Sequence, residues 1–224
     1  MQLPIKKTAL IASVVICSLM NLNALADTAL MQTDKPESGF FSDYSLLKPV
    51  NGSKGTKVFR YTSTKFDPSN YKSVIIDSVV INQSSVDDKI TTDIIEKTRL
   101  TLEENIKLNV IQFLALTQTA SAETLKVNVS ISGAELATEG FKVRNLLPIS
   151  AVLKLASKAA NKDNKTAVLL IESKVTNSQT GELLKGTMVT ISSESFRDND
   201  EAEQEFENLA KKVVELAMQH IHTQ

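Results

Sequence analysis

Residues Thr166–Ser192 read TAVLLIESKVTNSQTGELLKGTMVTIS, two strand-length runs about a polar turn. In the first run Leu169, Ile171 and Val175 are apolar, while Glu172, Lys174 and Thr176 are polar. A period of two sends successive side chains to opposite faces of a sheet, so the run predicts a strand with one wet face. On that reading Glu172 and Glu182 face solvent. Between the runs, Asn177-Ser178-Gln179-Thr180-Gly181-Glu182 supplies Asn and Ser side chains that bond their own backbone, and a Gly that tolerates positive φ. The expected hairpin gives the sheet an antiparallel component.

Upstream, Leu125–Ala137 alternates Leu125, Val127, Val129 and Ile131 against Lys126, Asn128, Ser130 and Ser132, which predicts a half-buried strand with a bulge near Gly133. Residues 145–162 predict a short helix after Pro148, with Ser150 able to cap it. Tyr71–Asn82 concentrates Val74, Ile75, Ile76, Val79, Val80 and Ile81. Its β-branched side chains favour a pleated surface, so it predicts one central strand. A helix is expected over Asp87–Asn109, capped at Ser85, with Ile90, Ile94, Thr98, Leu102 and Ile106 as its inner stripe. Lys57–Ser63 and Val110–Thr117 read as further strands. The closing helix, Asp200–His220, is capped by Asp198 or Asn199, carries Glu201, Glu203 and Glu205 early, and turns Phe206, Leu209, Val213 and Leu216 inward. The expected class is α+β: a single mixed or antiparallel sheet of about five or six strands, with three helices packed mainly on one face. It occupies residues 56–224.

Residues 1–26 carry the marks of an export signal. Lys6 and Lys7 precede the apolar run Ala9–Met20, and Ala24-Leu25-Ala26 places small residues where a signal is cut, after Ala26. The run is short for a bilayer core of about 30 Å, so no transmembrane span is expected after cleavage. Cys17 is the sole cysteine, and Ile16 before it argues against a lipid attached there. Without Cys17 the remaining chain has no thiol chemistry and no disulfide. The expected location is the periplasm or the periphery of the outer membrane, with membrane association left open. Residues 27–55 read as an irregular arm punctuated by Pro36, Gly39, Pro49, Gly52 and Gly55. Phe40, Phe41, Tyr44 and Leu47 stand out in it as residues that either dock the arm on the body or bind a partner.

The formal net charge is −1 and the arginines are few, Arg60, Arg99, Arg144 and Arg197, which argues against nucleic acid as a partner. The only histidines, His220 and His222, lie at the C-terminus, too few for a Ser–His or Cys–His system. No Gly-rich phosphate loop or G-x-S-x-G occurs. Catalytic, cofactor and metal residues are therefore expected to be none. Asp77, a carboxylate in an apolar run, is the most suggestive single acid, because burial demands a partner or a shifted pKa.

Taken in order, Gly39-Phe40-x-x-Asp43-Tyr44-Ser45-x-Leu47, Arg60-Tyr61, Tyr71-x-x-Val74-Ile75-Ile76-Asp77, Pro148-Ile149-Ser150 and Thr176-Asn177-x-x-Thr180-Gly181-Glu182 resemble the bacterial envelope family catalogued as domain of unknown function 3313. The resemblance covers nearly the whole chain after the leader. It implies a lipoprotein-like envelope protein of Gram-negative bacteria, a single domain, and no assigned activity. Three functional expectations follow. The first is an exported, non-enzymatic protein that binds another envelope component. The second is a carrier of a small molecule or lipid in a pocket between sheet and helices. The third is a hydrolase pairing Asp77 with Glu172 or Glu182.

Overall fold

The computed structural model describes residues 37–83, 86–138, 164–198 and 200–219. The expected helix over 145–162, the leader with Cys17, Arg144, His220 and His222, and the caps Ser85 and Asn199 lie outside these residues. The strands are β1 Lys48–Val50, β2 Thr56–Thr62, β3 Ser73–Ile76, β4 Val80–Ile81, β5 Ala115–Leu116, β6 Thr124–Thr138, β7 Lys165–Asn177 and β8 Leu183–Ser192. The helices among the described residues are α1 Thr92–Val110 and α2 Glu201–Gln219. The class is α+β with one mixed sheet, ordered β1-β2-β8-β7-β6-β3-β5, and β4 continues beside β6. Eight strands among the described residues stand against the expected five or six.

The β7–β8 hairpin forms as its turn residues require. Asn177 Oδ1 accepts from the Gln179 and Thr180 N–H groups at 2.9 and 3.0 Å, and Gly181 takes φ 72°. The bulge on β6 falls between Ile131 and Gly133, so Ile131 opposite Ile171 and Ala134 opposite Leu169 both keep the core face.

Tyr71–Asn82 is two short strands rather than one central strand. Both run parallel to β6 near one end of the sheet order. The break is polar in origin. Asp77 Oδ2 takes hydrogen bonds from Asn128 Nδ2 at 2.6 Å and pairs with Lys126 Nζ at 3.0 Å, and the Val79 N–H donates to Glu103 of α1. The helix begins later than expected, at Thr92, where Thr91 caps it by accepting from the Ile94 N–H, and it runs on to Val110. A turn over residues 111–114 then leaves only Ala115–Leu116 of the strand expected across Val110–Thr117. The inner stripe of α1 is as read in part: Thr98 and Leu102 are buried, and Ile94 and Ile106 are partly buried, while Ile95 takes a fully buried place beside them and Ile90 is buried just before the helix begins.

The main core lies between one sheet face and the helices, where Val129, Ile131, Leu169, Ile171, Val189 and Ile191 meet Phe206, Leu209 and Val213. The expected wet second face is covered at its centre. Phe41, Tyr44 and Leu47 of the segment before β1 pack on Phe59, Leu170 and Met188. Gly186 of β8 makes this approach possible, since a Cβ there would stand 2.9 Å from a Phe41 ring atom and 3.2 Å from a Leu47 methyl. Gly186→Val therefore forces the arm off the sheet. Urea unfolding is expected to give a loss of about 1–3 kcal/mol, the usual cost of overpacking a filled core.

Candidate functional site

The arm is folded on itself before it meets the sheet. Asp43 starts a short 3-10 turn, Tyr44–Leu46, by accepting from the Ser45 N–H at 2.8 Å. The Tyr44 hydroxyl then gathers the N–H groups of Ser38, Phe40 and Phe41 at 3.1, 3.0 and 3.4 Å, and shares a hydrogen bond with Ser38 Oγ at 3.0 Å. One phenol thus satisfies donors that the irregular backbone would otherwise leave orphaned. Burial pushes the Tyr44 pKa up, while hydrogen bonds from Ser38 and Phe41 oppose the rise and the Glu172 charge adds to it.

Beneath this turn lies Glu172 of β7, with no exposed surface. Ser38 Oγ donates to its Oε2, and its Oε1 has no hydrogen-bond partner among the described residues. On the same strand face Lys174 Nζ donates to the Phe40 carbonyl at 2.8 Å and lies 4.3 Å from the centre of the Phe40 ring. Ser130 of β6 is the direct cross-strand neighbour of Glu172. Glu172 is therefore not the solvent-facing residue its alternation suggested. The polar side of the strand is closed by a segment more than a hundred residues away in sequence.

The four aromatic and apolar arm residues occupy different positions. Phe41, Tyr44 and Leu47 are 5%, 7% and 1% exposed, and Phe40 is half-buried. Edge-to-face contacts at 5.4 Å link Phe40 to Phe41 and Phe41 to Tyr44. Among the described arm residues, Leu46 and Val50 are large apolar side chains left exposed, at 39% and 36%.

The other acids are each engaged separately. Asp77 is held by Lys126 and Asn128, and Glu182, exposed in the turn, pairs with Lys65 at 3.3 Å. Asp77, Glu172 and Glu182 share no partner. A carboxylate sealed as Glu172 is cannot meet a dissolved substrate while the arm is in place. A further acid pair has no local signature in the sequence. Asp87, which accepts from the Lys89 and Leu136 N–H groups, stands near Glu135 of β6. Burial first, and the Asp87 charge second, push Glu135 from the ordinary 4.5 up to about 7. Among the described residues no group of three His, Cys, Asp or Glu side chains is placed to hold a metal ion, and no helix is long and apolar enough to cross a membrane.

One exposed surface was hidden in the sequence. Leu100, Leu108 and Ile111 follow helical spacing on the side of α1 away from the core, and Phe113 and Leu116 continue past its end. All five are between 49% and 55% exposed. Reading Val110–Thr117 as a strand had separated Ile111, Phe113 and Leu116 from Leu100 and Leu108.

Two outcomes follow from these sites. Tyr44→Phe removes the acceptor for three backbone N–H groups and is expected to lower stability by about 1–3 kcal/mol in urea unfolding. For Glu135, the folded chain holds a proton that the unfolded chain releases, so its contribution is full below pH 4.5 and is lost as the pH rises through about 7. Wild type should therefore lose more thermal stability between pH 4.5 and 8 than Glu135→Gln does. Equal losses in the two proteins would contradict this assignment.

Comparison with known proteins places these observations in a family. A family model described as "Protein of unknown function (DUF3313)" matches residues 36–213. The chain is 24% identical over 209 residues to the uncharacterised lipoprotein YdcL of Escherichia coli (strain K12), covering 90% of each chain. Among solved structures it resembles the PelC dodecamer of Paraburkholderia phytofirmans, at 7% identity and TM-score 0.39 over 71% of this chain and 94% of that one. It also resembles a neuraminyllactose-binding hemagglutinin homologue from Helicobacter pylori, at 8% identity and TM-score 0.43 over 72% and 88%. At TM-scores below 0.5 these structural likenesses carry nothing about function. The family match spans the arm from residue 36, the sheet and most of α2, and the chain belongs to the DUF3313 family of proteins of unknown function.

Proposed function

We propose that this is an exported, non-enzymatic envelope protein that acts by binding another envelope protein, and that the contact lies on the outward row of α1. The observation that carries the reading is the run Leu100, Leu108, Ile111, Phe113 and Leu116, each about half exposed on one flank. Single exposed apolar residues are ordinary, but several grouped about exposed Glu104 on the outward face of one helix and just past its end mark a surface that another molecule covers. Ion pairs rim it: Arg99 with Glu96 and Glu103, and Lys107 with Glu103. An apolar centre with a polar rim is the usual anatomy of a protein interface. Leu116 also lies on β5, the last strand in the sheet order, where a partner strand could add.

The envelope location rests on the export signal read in residues 1–26 and on the lipoprotein name of the E. coli relative. The arm residues Phe40, Phe41, Tyr44 and Leu47 support this surface indirectly, by fixing the sheet. Among the described arm residues, Phe40, Leu46 and Val50 are apolar side chains available to a partner.

A photocrosslinking side chain placed at Leu108 or Phe113 in intact cells is expected to capture one discrete partner. The same probe at exposed Lys212, on the far helix, is expected to capture none. Leu108→Asp with Phe113→Asp should abolish the adduct while leaving the melting temperature within a degree or two, because both side chains are exposed. Recovery of the protein alone from every position would overturn the reading.

A further inference from the structure

The geometry points to a binding site for a phosphate-type oxyanion on the helix-side face of the sheet, floored by Arg60 of β2 and Lys185 of β8. The register places Arg60 opposite Thr187 and Thr62 opposite Lys185. Residues two apart on a strand share a face, so Arg60 and Lys185 are diagonal neighbours across one strand pair. Val58 and Val189, in the same alternation, join the core under the helices, which fixes the face. Beyond those valines the face gains polar side chains, with Val175 opposite Lys185 as an apolar border. Ser173 of β7 stands opposite Thr187, so one patch carries two cations and the hydroxyls of Thr62, Thr187 and Ser173.

The cations are unusual in their setting. Both are half-buried, and neither has a hydrogen bond or ion pair with any described residue. The Lys185 ammonium lies 5.4 Å from the centre of the Phe66 ring, which marks one side of the patch. The nearby acids are taken: Glu182 by Lys65, and Asp67 by the Ser69 N–H and hydroxyl. Half-burial without a counter-ion disfavours both charges, and their mutual repulsion adds to it. The pKa values follow, Arg60 lowered by burial and Lys185 by burial and then by Arg60. An oxyanion seated between them relieves both penalties. The guanidinium fork and the ammonium supply charge-assisted donors, and the hydroxyls satisfy remaining oxygens. A tetrahedral phosphate group uses this many donors better than a carboxylate does. The site is separate from the α1 surface and stands or falls without it.

The phosphate can belong to a soluble molecule or to a lipid headgroup, and the test separates them. Inorganic phosphate is titrated into the full chain and followed by amide NMR shifts at residues 60–62 and 185–187. In parallel, binding to phosphatidylglycerol vesicles is compared with phosphatidylcholine vesicles by flotation. Wild type is expected to respond in at least one arm. Arg60→Gln and Lys185→Gln should each weaken that response by about tenfold, and Lys65→Gln, an exposed cation nearby, should not. Since Lys185→Gln removes a half-buried, repelled charge, it should fold at least as stably as wild type and keep the comparison interpretable. A phosphate response identifies a soluble ligand class, and a vesicle response alone identifies the headgroup. Silence of wild type in both arms, or an equal response in Lys185→Gln and Lys65→Gln, overturns the site.

Discussion

A glutamate with no exposed surface in the middle of a sheet is an expensive thing to build, and much of this fold is arranged to accommodate it. Glu172 sits on β7, the strand flanked by β6 and β8 at the centre of the strand order. A charge or an unsatisfied carboxyl there costs several kcal/mol unless donors reach it. The donor is Ser38, itself held by Tyr44, and the cover is the ring cluster of Phe40, Phe41 and Tyr44. The N-terminal arm is thus a second layer of the structure. It gives β7 a buried environment on both faces and allows Gly186, a residue with no packing side chain, to sit in β8 without leaving a void.

This arrangement divides the molecule. The helix side holds the large apolar core and, past its edge, the polar patch of Arg60 and Lys185. The arm side holds a small aromatic cluster over a polar network. The outward flank of α1 belongs to neither, because Ile95, Thr98 and Leu102 already fill the inward flank. Its leucines stand about half exposed outside that packing, which makes them a surface for another molecule to cover.

How much of this was legible in the sequence follows from the range of the interactions involved. The β7–β8 turn was readable because Asn177 and Gly181 act within a few residues. The inner stripe of α1 and the bulge beside Gly133 were readable for the same reason. The break at Asp77 was not, since six β-branched neighbours outweigh one acid, and its partners Lys126 and Asn128 lie fifty residues on. Alternation identified which side of β7 is polar, yet it could not say that a remote arm would close over that side. The aromatic density of Phe40 to Leu47 was visible, and docking was one of its two readings. Cationic pairing across β2 and β8 needed the register, which no local pattern supplies.

The claim that most of the account rests on is that Ser38 and Glu172 act as one unit joining the arm to the sheet. A double-mutant cycle of Ser38→Ala and Glu172→Leu, which removes both carboxylate oxygens at similar side-chain size, measures it directly when read by urea unfolding. The account predicts a coupling energy of roughly 1–3 kcal/mol, because each partner's removal leaves the other unsatisfied. Effects that add to within about 0.5 kcal/mol would mean that the arm rests on the sheet without being held by it.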